Sequence, residues 1–96
     1  TIRDAAQRDY YTGAYNRHYF FAQGEQMLAA AREKNTPVAA AVLDLDHFRD
    51  LNQRFGNDAG DYVMQQVAAY LIQAFERFLL ARADGQEFFV LMVGLD

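Results

Sequence analysis

The 96-residue chain contains no cysteine and no tryptophan. Without thiols there is no disulfide, no thiolate nucleophile and no cysteine-bound zinc. Proline occurs once, as Pro37, so a proline-rich linker is excluded. No apolar run approaches the roughly 20 residues that a membrane-crossing helix needs. Basic residues are the minority: 9 Lys and Arg stand against 13 Asp and Glu, for a formal charge of -4. An acidic balance is a poor basis for gripping a phosphate backbone, so no nucleic-acid partner is expected. What remains is a globular composition, 52% hydrophobic and 23% charged. The length suits one domain or a piece of one, able to bury roughly two-thirds of its unfolded surface. The chain opens at Thr1, without Met or a cleavable signal pattern, and reads as a segment excised or processed from something longer.

Hydrophobic periodicity lays out the elements. Thr1 to Arg8 reads as the tail of a helix arriving from upstream. Asp9 to Arg17 holds turn and cap residues, with Asn16 placed as an N-cap. From Arg17 to Lys34, Phe20, Met27, Leu28 and Ala31 share one helical face with Gly24, which suits close packing. Asn35-Thr36-Pro37 stops that helix. Val38 to Leu45 is a run of small apolar residues and reads as a strand covered on both faces. His47 to Phe55 predicts a short helix ended by Gly56. Asp58 is the expected next N-cap, with Asp61 as the acid at N3. Met64, Val67, Leu71 and Phe75 then form one helical stripe. Leu79 to Ala83 and Glu87 to Val93 read as two strands, with Asp84-Gly85 as a type I′ turn between them. The fold class is α/β, an α+β sandwich in which a central sheet with a β-hairpin is flanked by helices.

Two places can carry chemistry. Asp44 and Asp46 end the first long strand, where one can point into a site while the other points away. A carboxylate at such a strand end is a common seat for Mg²⁺ beside a nucleotide, and equally a plain solvated residue or helix cap. Glu87, just past the hairpin turn, can join Asp44 on one cation if the two strands are neighbours. The same Asp84-Gly85 turn also reads as an ordinary hairpin that holds nothing.

At these residues the chain resembles a known family. Asp9-Tyr10-Tyr11-Thr12-Gly13-Ala14-Tyr15-Asn16-Arg17 resembles the D-x-L-T-G-L-x-N-R segment of GGDEF domains. Asp44-Leu45-Asp46-His47-Phe48-Arg49-Asp50-Leu51-Asn52 resembles their D-[IL]-D-x-F-K-x-[IL]-N segment. Phe55-Gly56-Asn57-Asp58-Ala59-Gly60-Asp61 resembles [YF]-G-H-x-x-G-D, and Arg82 to Phe88 falls where R-[YF]-G-G-[DE]-E-F belongs. The resemblance implies a partial GGDEF fold, similar to the palm of nucleotide cyclases, over residues 1–96. That would be the N-terminal portion only, with residues 1–8 ending an upstream linker helix. It implies Mg²⁺ held by Asp44, Glu87 and the backbone carbonyl of Leu45. It implies guanine read by Asn52 and Asp61, the triphosphate flanked by Phe48 and Arg49, and Glu87 as the surviving catalytic carboxylate.

The same resemblance exposes departures. The first glycine of the signature is Asp84, which sets a like charge toward a triphosphate. Its third, acidic letter is Gln86, which is neutral and cannot act as a carboxylate base. The phosphate-side Lys is Arg49, the frequent His is Asn57, the Asp after Asn52 is Gln53, and the Leu of T-G-L is Ala14. The inhibitory R-x-x-D is replaced by Phe75 and Phe78, so no inhibitory site is expected. These features imply a degenerate, inactive GGDEF domain that serves a bacterial cyclic di-GMP signalling protein as a regulatory, GTP-sensing or dimerisation module. Its partners would be GTP, a second copy, or another GGDEF or EAL domain. Its location would be cytoplasmic, including the cytoplasmic part of a membrane-tethered sensor. An active diguanylate cyclase and a structural partner-binding module with an empty cleft are the alternatives.

Overall fold

The computed structural model describes residues 6–94. Among them lie four strands and three helices: β1 (Tyr15–Asn16), α1 (Arg17–Lys34), β2 (Val38–Asp44), α2 (Phe48–Phe55), α3 (Asn57–Ala74), β3 (Leu79–Asp84) and β4 (Glu87–Val93). The strands form one sheet in the order β1-β3-β4-β2. β4 sits inside it, antiparallel to β3 and β2, and β1 runs parallel to β3. The expected mixed α/β fold with a hairpin in its sheet is the one observed.

β4 explains the core. Alternate residues of a strand face opposite sides, and helices cover both faces of this one. Phe88 and Val90 are fully buried and cluster with Met64 and Ala68 of α3 and with Leu80. The other face carries Phe89 and Leu91. Phe89 meets Phe20 of α1 at 5.4 Å between ring centroids. A Cβ at Gly24 would sit 3.5 Å from Leu91, an ordinary contact, so glycine keeps α1 close without being forced by space.

α1 begins where expected. The Asn16 side-chain oxygen accepts from the Tyr19 N–H at 2.8 Å, and its Nδ2 donates to the Ala6 carbonyl at 2.7 Å. One amide therefore caps α1 and bonds the last turn of the incoming helix, to which Ala6 and Gln7 belong. The expected helical tail before Ala6 lies outside the described residues. Asn35, in the left-handed region at φ 54, ends α1 by donating to Ala31 and Arg32. Pro37 follows two residues later, so the cap and not the proline stops the helix.

Four expectations are corrected. β2 is an edge strand, not one covered on both faces: it pairs only with β4, and Val42 is 63% exposed. Its alternating exposure reflects α1 lying over β3 and β4. Leu28, placed on the buried stripe of α1, is 42% exposed for the same reason. The hairpin turn is Gly85-Gln86, since Asp84 pairs with Glu87 across it and the register shifts between Arg82 and Asp84. Gly85 has positive φ and Gln86 does not, so the type I′ requirement is not met. Lastly, α3 takes Gly56 as its N-cap, and Asp58 lies within its first turn. Asp61, expected at N3, therefore falls in the second turn.

One ion pair ties the turn before β1 to β3. The Arg82 guanidinium donates to the Asp9 carboxylate at 3.2 Å, with both side chains largely shielded. The same Asp9 oxygen accepts from Thr12 N–H at 3.0 Å and Thr12 Oγ1 at 2.8 Å. Removing one partner from such a cluster strands the others, at about 1–3 kcal/mol. Asp9→Ala and Arg82→Ala are each expected to lower stability by roughly that amount. Urea unfolding should show the double variant less destabilised than the sum of the singles, because the residues act on one contact.

Candidate functional site

The hairpin and the end of β2 meet at one rung of the sheet. Asp44 and Glu87 are direct cross-strand partners, and Asp84 pairs with Glu87 from the other side. Directly opposite residues share a face, with Cβ atoms about 4.5–5.5 Å apart. Asp44 and Glu87 are thus brought together, as expected if β2 and β4 are neighbours. Asp46 lies beyond the strand in the following turn, so strand alternation does not govern it. The Leu45 N–H donates to the Gln86 carbonyl at 3.1 Å, which fastens the strand end to the turn.

The hairpin carries its own internal bonds. Arg82 Nε donates to the Gly85 carbonyl at 2.9 Å. Asp84 Oδ1 accepts from the Gly85 N–H at 2.9 Å. The turn amide that a glycine at position 84 would leave open is therefore occupied by a side-chain carboxylate. The Gln86 side chain is half-buried beside it and carries no charge.

Asn52 is brought against Gly60, the residue before Asp61. Asn52 stands in the last turn of α2, and α3 starts at Asn57 after the bend at Gly56. That bend uses φ 90, a glycine conformation, and folds α3 back against α2. Gly60 is buried, and a Cβ built there would overlap the Asn52 amide, coming within 2.7 Å of its Cγ. The absence of a side chain at position 60 makes room for Asn52, and Asp61 is the next residue. Asp61 and Arg49 are exposed, whereas Phe48 packs against the core cluster. The Phe48 ring is thus a packing group.

The region upstream of the hairpin differs in character. Phe75 and Phe78 line a cavity of about 190 Å³ with Ile72, Leu80 and Tyr15, rimmed by Arg8 and Glu76. The Arg8 guanidinium lies 4.3 Å from the Tyr15 ring centroid, and Tyr15 stacks on Tyr19. Desolvation, helped by Tyr15, raises the Tyr19 phenol above its ordinary 10.0. Sequence reasoning quoted Asp9, Thr12 and Gly60 within segments but gave them no role. The usable signal was the lone acid and lone base in the two segments, which the fold brings to 3.2 Å.

Comparison with known proteins agrees with this geometry. Residues 6–96 match the family described as diguanylate cyclase, GGDEF domain. The chain is 35% identical over 95 residues to the probable diguanylate cyclase DgcT of Escherichia coli, covering 98% of this chain and 21% of that protein. It is 35% identical over 92 residues to the response regulator PleD of Caulobacter vibrioides, covering 93% of this chain and 20% of that one. The chain therefore spans about a fifth of the length of these relatives. The coiled coil and GGDEF domain of DgcB from Caulobacter crescentus, solved with c-di-GMP, superposes with a TM-score of 0.94 at 30% identity, over 99% of this chain and 50% of that one.

The contact at Gly60 gives a direct check. Gly60→Ala gains up to about 1 kcal/mol of helix propensity. It also forces Asn52 off its rotamer, at about 0.5–1.5 kcal/mol. The melting temperature should stay within roughly 8 °C of the parent, while the Asn52 side-chain amide resonances move in NMR spectra. Unmoved resonances would show that Asn52 is not held against Gly60.

Proposed function

Since the chain belongs to the diguanylate cyclase GGDEF family, we propose that it is a degenerate, catalytically inactive member. It serves a bacterial cyclic di-GMP signalling protein as a regulatory, GTP-sensing or dimerisation module. The observation that carries this reading is the Asp84 carboxylate on the Gly85 N–H at 2.9 Å, next to the neutral Gln86. A phosphate approaching the turn meets a negative charge where a free donor would help it. At Gln86 there is no carboxylate to accept a proton or face a cation. On this reading residues 1–96 are the N-terminal portion of the domain and residues 1–8 finish an upstream helix. The module is cytoplasmic, alone or as part of a membrane-tethered sensor.

Nucleotide binding in weakened form fits what remains. Mg²⁺ usually takes one or two carboxylates and completes its shell with water and phosphate oxygens. Asp44 opposite Glu87 meets that requirement, and the Leu45 carbonyl follows at the strand end. Among the described residues no group of three or more acidic or imidazole side chains could hold a metal without such help. When bound, Mg²⁺ would neutralise phosphate charge. Asn52, which can both donate and accept, and Asp61, which accepts, suit the edge of guanine. Arg49 supplies a cation near the phosphates but not the compact ammonium of Lys. Phe75 and Phe78 offer no charge and no polar donor, which argues against a product-inhibition site above the hairpin.

Chromatographic product analysis with GTP and Mg²⁺ should detect no cyclic di-GMP, beside an active cyclase as control. Turnover like the control's would overturn the reading. Asp84→Gly with Gln86→Glu, made in the full-length protein, should bind GTP at least tenfold more tightly than the parent by calorimetry. Adding Asp44→Ala should abolish the gain, because the cation loses a carboxylate.

A further inference from the structure

We propose that the Asp84-Gly85 step is a site of spontaneous covalent modification: Asp84 closes onto the Gly85 nitrogen as a succinimide and reopens as isoaspartate, which lengthens the hairpin turn by one backbone atom. The nitrogen that attacks and the carboxyl group it attacks are already in contact, since the Gly85 N–H donates to Asp84 Oδ1 at 2.9 Å. Attack is favoured when the reacting atoms are held about 3–3.5 Å apart, and the carboxyl carbon is one bond behind that oxygen. A small rotation of the carboxyl group exchanges the hydrogen bond for contact between nitrogen and carbon. Residue 85 is glycine, so no side chain shields the nitrogen. Among the described residues nothing lies within 4 Å of the place a Cβ would take there. Asp84-Gly85 is the one Asp-Gly pair in the sequence, and Asn-Gly does not occur.

The surroundings leave the pair able to react. Among the described residues no cation pairs with Asp84, because Arg82 is taken up by Asp9 and by the Gly85 carbonyl. Strand pairing skips Ala83, so Asp84 stands between an irregular step and the turn. Both reacting atoms belong to adjacent residues, so the reaction needs nothing from the rest of the full-length protein except water. In the first step the Gly85 nitrogen bonds to Cγ of the Asp84 carboxyl in its acid form. The nitrogen gives up its hydrogen, the carboxyl its hydroxyl, and water leaves. In the second step water adds to one of the two ring carbonyls. Addition at Cγ returns Asp84. Addition at the main-chain carbonyl carbon breaks its bond to the Gly85 nitrogen, and the chain then runs through Cβ and Cγ. The water lost is regained, with no oxidant and no net change of mass. The product cannot keep the bond from the Gly85 N–H to Oδ1, because Cγ is now joined to that nitrogen. The extra atom also shifts Asp84 against Glu87, its partner across the turn, so the hairpin loosens at the rung that holds Asp44. The modification is independent of nucleotide binding, and it removes the contact that fills the turn amide.

The test ages the folded full-length protein in heavy-oxygen water at neutral pH and physiological temperature. Tryptic cleavage after Arg82 releases a peptide that begins at Ala83, and electron-transfer fragmentation distinguishes isoaspartate from aspartate within it. Isoaspartate should accumulate at residue 84 at least tenfold faster than at any other Asp of residues 1–96. Residue 84 should carry heavy oxygen in both forms, and a transient peptide lighter by one water should appear. Asp84→Glu, which keeps the charge but needs a larger ring, should lower the rate at least tenfold with the circular dichroism spectrum unchanged. Gly85→Ala, which crowds the nitrogen, should do the same. In the isomerised fraction the amides from Gly85 to Phe88 should exchange hydrogen faster than in the parent. A synthetic peptide of residues 83–88 that converts while the folded protein does not would overturn the proposal, since the fold would then hold the two groups apart. Conversion at residue 84 no faster than at the other Asp residues would overturn it as well. Conversion with unchanged amide exchange would overturn the loosening of the hairpin.

Discussion

Arg82 is the residue on which the site's shape depends. One nitrogen of its guanidinium holds the Gly85 carbonyl, and another holds Asp9, 73 positions earlier in the chain. Asp9 in turn fixes Thr12, and the Thr12 hydroxyl accepts from the Ala14 N–H at 3.2 Å. Ala14 is buried in the core cluster, one residue before β1 pairs with β3. The hairpin, the opening turn and the sheet edge are thus mutually braced. Chain termini are otherwise where order is first lost. Here the opening turn is bonded to the part of the molecule that carries the most unusual chemistry.

That chemistry is a row of acids. Asp84, Glu87 and Asp44 occupy one rung across three adjacent strands. Like charges directly opposite each other weaken a sheet. Of the three, Asp84 has turned its carboxylate onto the neighbouring turn amide, 2.9 Å from the Gly85 N–H. The substitution therefore acts twice: it adds a negative charge and removes a donor. Both effects oppose an anionic ligand, and neither disturbs the hairpin, whose strands stay paired on each side of the turn.

Much of this was legible in the sequence. The bounds of α1 follow from a cap residue at each end, Asn16 and Asn35. The return strand of the hairpin follows from its Phe and Val content just past a glycine turn, and its partner from the apolar Leu79-Leu80-Ala81 run before it. The pairing of Asp44 with Glu87 was conditional on neighbouring strands, and the fold supplies that neighbourhood. What failed depended on contacts between distant elements. A run of small apolar residues cannot say whether a helix lies over it, so β2 read as enclosed although α1 sits over the adjoining strands. The turn moved by one residue because the register shift at Ala83 is set by pairing with β4 and not by local preference. β1, only two residues long, has no periodicity to find. The partnership of Asp9 with Arg82 spans 73 positions, which periodicity does not register; only the lone acid of one segment and the lone base of the other hint at it.

The two-ended amide of Asn16 has a mechanical meaning. An amide group is planar, so its oxygen and nitrogen cannot be re-aimed independently. If the incoming helix twists and keeps its bond from Nδ2 to the Ala6 carbonyl, the oxygen must swing away from the Tyr19 N–H. If the oxygen stays, the upstream bond breaks. A twist of the Ala6–Gln7 turn relative to α1 therefore loads this side chain, alongside the Arg8 bonds to Gly13 and Tyr15, and when the amide yields, α1 loses its cap. The joint behaves as a stiff coupling with a defined slip point, set where the helical turn at Ala6 and Gln7 meets α1.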